Sequence, residues 1–185
     1  MFYLEAAVNI QQLFPEAVLA GGTAAAVYLH HRYSFDADHI LSRLETIYAS
    51  VLDFLESRDD CRQFPGGGNR HRPIAPQYAP DTETVDVHGR QLTVPTIPEM
   101  IRIKGWMIVC RNAARDYIDF VALVEHPGLA QAVGALDRFD ACYLDLMRGR
   151  EASPMVQLVR QLAEPNPYDL DDKVISSLLP GICRH

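Results

Sequence analysis

Apolar positions recur at helical spacing from the start of the chain. Phe2, Leu4, Ala7, Val8, Ile10 and Leu13 predict a helix over 2–13, and Pro15 ends it. Residues 17–20 are a short apolar approach to Gly21 and Gly22, after which small and apolar residues predict a second helix over 23–32. Residues 35–40 read as a strand. The next stretch, 41–57, is amphipathic, with Leu44, Ile47, Val51, Leu52, Phe54 and Leu55 on one face. Residues 58–80 hold Pro65, Gly66, Gly67, Gly68, Pro73, Pro76 and Pro80, a loop composition. A hairpin follows over 83–94: residues 84–87 alternate, His88, Gly89 and Arg90 turn, and residues 91–94 return. From 95 to 126 the pattern is helical. At about 100° per residue, Lys104, Arg111, Arg115 and Asp119 fall on one face. Two further helices, over 128–146 and 152–162, are broken by Arg148, Gly149, Arg150 and Pro154. The tail, 165–185, is short, proline-punctuated and acidic.

Length and composition narrow this picture. A chain of 185 residues fits one domain, or one core with a helical extension, and is long enough to bury about two-thirds of its surface. The hydrophobic share of 48% and charged share of 22% are those of a globular protein. A net charge of −7 argues against broad non-specific DNA binding, though a local basic groove for RNA stays open. Cys61, Cys110, Cys142 and Cys183 form no CxxC pair and read as reduced, cytoplasmic residues. The first 30 residues lack the basic start and apolar core of a signal peptide, and no apolar run of about 18 residues suggests a membrane span.

The candidate chemistry clusters in residues 20–40. A glycine turn at Gly21 and Gly22 lets a phosphate approach the backbone, and a helix starting at Thr23 would aim free N–H groups at it. On a strand, Asp36 and Asp38 would share one face about 6.6 Å apart, a spacing that suits Mg²⁺ or Mn²⁺. In the hairpin, Asp86 lies opposite Val85 and Val87 and is the candidate third carboxylate, with Glu83 the alternative. A plain solvent-facing acid remains the other reading of Asp86, as does an ordinary Arg115–Asp119 helix pair for the second constellation.

The order Gly-Gly-Thr, helix, His31-Arg32-x-Ser34, Asp36-x-Asp38 resembles the first motif of the AbiEii/AbiGii-type nucleotidyltransferase toxins, of the polymerase-β-like superfamily. Lys104 followed by Arg111-x-x-x-Arg115-Asp116-x-x-Asp119 resembles the second. The resemblance covers about residues 17 to 125. Asp171-Asp172-Lys173 does not reproduce the family's fourth motif, and the proline- and glycine-rich stretch departs from its usual strand. The resemblance implies an α+β fold, with a small mixed sheet flanked by helices over 1–95 and a helical bundle over 96–185. It implies a Mg²⁺-dependent transfer from a nucleoside triphosphate to an RNA end (tRNA in some relatives) or a protein hydroxyl, by a cytoplasmic toxin with a cognate antitoxin. Asp36, Asp38 and Asp86 would be catalytic and hold the metal. Gly21, Gly22, Thr23, Ser34, Lys104 and Arg115 would contact the nucleotide, with Arg32, Arg111, Asp116 and Asp119 in support. The alternative is a decayed relative that only binds a nucleotide or partner.

Overall fold

The computed structural model describes residues 2–29, 31, 38–40, 79–147 and 151–170. The helix expected over 41–57, most of the strand at 35–40, nearly all of the 58–80 loop and the tail beyond 170 lie outside the described residues.

Helix α1 (Phe2–Leu13) buries Ala7 and Val8, as its apolar spacing requires, and is followed by strand β1 (Val18–Leu19). Helix α2 (Gly21–Leu29) begins two residues before the expected Thr23. Strand β2 (His39–Ile40) pairs antiparallel with β1, Val18 opposite Ile40. Strands β3 (Thr82–Val87) and β4 (Arg90–Pro95) form the expected hairpin, closed by His88 and Gly89 alone. Both turn residues have positive φ, 54° and 78°, the tight turn that matches strand twist. Leu92 and Val94 are fully buried beneath it. The other edge of β4 is stitched by a side chain. The Gln11 amide donates to the Thr93 carbonyl and accepts from the Thr93 N–H, both at 2.7 Å, as a neighbouring strand would. Tyr28 donates from α2 to Glu83 at 2.6 Å, and burial, then Glu83, pushes its phenol well above the ordinary range. Among the described residues the strands form two separate two-stranded ladders.

The expected 95–126 helix is two helices. Helix α3 (Ile97–Arg111) is capped by Thr96, whose hydroxyl accepts from the Glu99 N–H at 3.4 Å, with Pro98 in the first turn. It stops at Asn112, which takes left-handed angles (φ 49°, ψ 45°) and sends its N–H back to the Ile108 carbonyl. Helix α4 (Ala114–Glu125) then doubles back. The helical stretch at 128–146 is likewise divided into α5 (Leu129–Leu136), α6 (Phe139–Tyr143) and a 3₁₀ turn (Leu144–Met147), before α7 (Pro154–Ala163).

Helix α3 is central, packed by α4, α5 and α7. Gly105 allows the approach, because a Cβ there would come within 3.0 Å of Leu158 and 3.2 Å of Phe139. The next residue, Trp106, stacks on Tyr143 with centroids 4.7 Å apart. A charged cluster missed in the sequence ties α3 to its neighbours. Arg102, 5% exposed, bonds Glu99 on its own helix, Asp81 at 3.0 Å before β3, and the Ala135 carbonyl at 3.1 Å on α5. The Thr96-x-x-Glu99 capping signature, with Arg102 three residues on, was the legible hint.

Candidate functional site: a buried ion network

Where α2, α3 and α4 meet, five ionisable side chains join in one network. Lys104 from α3 is 3% exposed, and Asp116 and Asp119 from α4 are both fully buried. The Lys104 amine lies 2.7 Å from Asp119 Oδ2 and 3.3 Å from Asp116 Oδ1. Arg111 grips Asp116 with two bonds, Nε at 2.5 Å and Nη2 at 2.8 Å. His31, just beyond α2, lies 2.8 Å from Asp119 Oδ1 through Nε2. Each carboxylate thus meets at least two cationic or hydrogen-bonding partners, which is what makes burying the charges tolerable. The bonds from Asp116 hold the Arg111 guanidinium above its ordinary range against burial, and the charges of Asp38 and Tyr168 act in the same direction.

The members meet by tertiary packing. Lys104 and Asp119 face each other because the chain reverses at Asn112, not because they share a helical stripe. Arg115, expected on that stripe, is exposed, and Lys104 is buried rather than on a polar face. A lysine held between two carboxylates in the core does what a salt clamp does: it fixes α3 to α4. His31 extends the clamp to the end of α2.

At the head of α2, Gly21 lies against a carboxylate of the chain itself. Gly21 has φ 69°, and a Cβ there would stand 2.4 Å from Asp38 Oδ2. The Ala20 N–H donates to the Asp38 carbonyl at 2.8 Å, locking that segment beside the glycine. Gly22 and Thr23 are buried in the following turn. Gly21→Ala should therefore lose about 2 kcal/mol in urea denaturation, from left-handed strain plus the Asp38 clash. In an Asp38→Ala background the loss should fall to about 1 kcal/mol, the strain alone. Equal losses in both backgrounds would show that Asp38 is not what Gly21 makes room for.

The hairpin acid has a local partner set. Asp86 accepts from the Gly89 N–H at 3.0 Å and from Gln91 at 3.4 Å, capping its own turn. Glu83 takes the Tyr28 hydroxyl. Asp36, Ser34 and Arg32 lie outside the described residues, so the Asp36–Asp38 pair is not on view. Among the described residues no three of His, Cys, Asp and Glu are grouped to hold a metal. Of the cysteines, Cys110 is exposed, and Cys142 is a free, half-buried thiol.

No family model matches the chain, and no solved structure matches it. It is similar to part of several mycobacterial transport proteins. The heme uptake protein MmpL11 of Mycobacterium tuberculosis (strain ATCC 25618 / H37Rv) is 37% identical over 131 residues, which are 68% of this chain and 13% of that protein. The mycolic acid-containing lipids exporter MmpL11 of Mycolicibacterium smegmatis is 34% identical over 128 residues, 66% of this chain and 12% of its own. The probable transport protein MmpL11 of Mycobacterium leprae is 34% identical over 108 residues. The chain thus spans about an eighth of the length of the relatives it matches. A single matched stretch of 68% must include about residues 60 to 126, whichever end it starts from, and so covers β3 to α4 with Lys104, Arg111, Asp116 and Asp119.

These relatives overturn the nucleotidyltransferase reading. They are transport proteins, so the AbiEii/AbiGii resemblance, the transferase activity, the toxin role and the decayed nucleotide-binding alternative are all withdrawn. The physical reason the second motif misled is that a lysine, an arginine and spaced carboxylates also build an internal salt clamp. No helix among the described residues is long and apolar enough to cross a membrane.

Proposed function

We propose that this chain serves transport, as a counterpart of the MmpL11 segment it resembles, working outside the bilayer on the cytoplasmic side. The observation that carries this is the 37% identity over 131 residues, a stretch long enough to take in most of the buried network. Two features support it. The described helices are too short or too polar to span a membrane, and four scattered cysteines with no CxxC pair suit a reducing compartment. The clamp of Lys104, Asp116, Asp119 and Arg111 gives the module a rigid helical half that holds its shape beside a larger partner.

The test is an exchange of segments. In the M. tuberculosis heme uptake protein the matching segment is deleted, or replaced by this chain, and heme uptake by cells is measured. The replacement should restore uptake well above that of the deletion. A replacement protein present in the membrane at normal amount, yet no better than the deletion, would sink the proposal. So would a deletion that leaves uptake unchanged.

A further inference from the structure

Residues 164–170 follow α7 and run back across the corner between α3 and α4. None of them is buried, and Tyr168 and Leu170 are 75% and 57% exposed, so no apolar side chain anchors the segment. Beyond the Glu164 N–H bond back to Arg160 and a local bond from Leu170 to Pro167, the hydrogen bonds that hold it land on residues 112–114. Asn112 donates from Nδ2 to the Asn166 carbonyl at 2.6 Å and accepts the Tyr168 N–H on its own carbonyl at 3.1 Å. The Asp169 carboxylate accepts the Ala114 N–H at 2.7 Å. Helix α4 has no side-chain cap from Ala113, its own preceding residue, so Asp169 supplies from a distance the acceptor and the negative charge that a helix start favours. The last polar atom of Asn112, Oδ1, accepts from Tyr117 at 2.6 Å, so every hydrogen-bonding group of this left-handed residue is engaged.

The corner so pinned separates Arg111 from Asp116, the two ends of the strongest link in the buried network. We infer that residues 164–170 are a releasable strap: seated on residues 112–114 it sets the geometry of the Arg111–Asp116 pair, and unseated it loosens that pair while the apolar core stays packed. The hydrogen bonds that hold the strap are individually weak in net terms, whereas the core around Trp106 and Leu123 opens only with global unfolding. The strap is therefore the low-stability end of a device whose other end is the ion network. This inference rests on geometry alone and stands apart from the transport reading.

The experiment uses the full chain, isotope-labelled, with Asp169→Ala and Tyr168→Pro as two independent ways to remove a strap bond, and Asp169→Asn as the conservative control. Proton exchange is followed at the Asn112 side-chain amide for the strap, at the Arg111 Nε–H for the network, and at the Leu123 backbone amide for the core. Both disrupting variants should speed exchange at Asn112 and at Arg111 by about tenfold and leave Leu123 unchanged, and Asp169→Asn should stay near wild type. Faster exchange at Asn112 with an unchanged Arg111 signal would overturn the coupling. Equal acceleration at Leu123 would overturn it too, because the strap would then be part of the global fold. If Tyr168→Pro fails to fold, Asp169→Ala decides.

Discussion

Asp119→Ala is expected to lose about 3–5 kcal/mol of stability, one of the two largest effects foreseen for a single substitution in this chain. The carboxylate is fully buried and lies 2.7 Å from a lysine amine that is itself 3% exposed. Without it, Lys104 keeps only Asp116 at 3.3 Å, an acid already shared with the two bonds of Arg111. A buried ammonium is then under-compensated, and the desolvation it suffered on folding is no longer offset. His31 loses its Nε2 partner in the same step. Urea denaturation of wild type and variant measures the loss. Replacing both partners, Asp119→Leu with Lys104→Met, should recover much of it, because apolar side chains of similar size carry no charge to desolvate. A loss below about 1 kcal/mol for Asp119→Ala would mean that the network behaves as an exposed pair, and the clamp would have to be given up.

Trp106→Ala is expected to lose a comparable amount, about 3–5 kcal/mol, for a different reason. Trp106 is 4% exposed at the centre of α3 and stacks on Tyr143 of α6, with ring planes 5° apart. Phe139 packs on the same tyrosine at 5.0 Å between centroids. Truncation removes the transfer energy of the indole and leaves a cavity between helices that Gly105 has already brought close. Trp106→Phe should keep a ring in the site and lose about 1–2 kcal/mol. Trp106 is the single tryptophan, so the variants are followed by circular dichroism rather than fluorescence. If alanine and phenylalanine at 106 proved equally mild, the α3–α6 contact would not be a packed one.

Local patterns were legible wherever their cause is local. The alternation of residues 84–87 and 91–94 placed the hairpin, since side chains on a strand must alternate between a wet and a packed face. The apolar spacing of residues 2–13 placed α1, whereas Pro154, read as a break, is instead the first residue of α7. What a one-dimensional period could not show was where the chain reverses. The 95–126 pattern runs on through Asn112, and only the packing of α4 against α3 selects the left-handed turn that breaks it. For that reason Lys104, Arg111, Asp116 and Asp119 were legible as a set but not as what they are. On one helix they would face solvent and a ligand, whereas across a helical hairpin they face one another. Gly21 was read as room for a phosphate, and the fold sets Asp38, seventeen residues further along, against that same glycine. The strap bonds of Asn166, Tyr168 and Asp169 carried no signal in the sequence, because their partners lie more than fifty residues away. The sequence by itself determined the hairpin, α1 and the helical character of residues 97–125. The tertiary structure alone decided which charges partner which, because a buried charge is satisfied by whatever the fold brings within hydrogen-bonding distance, however far apart the residues stand in the chain.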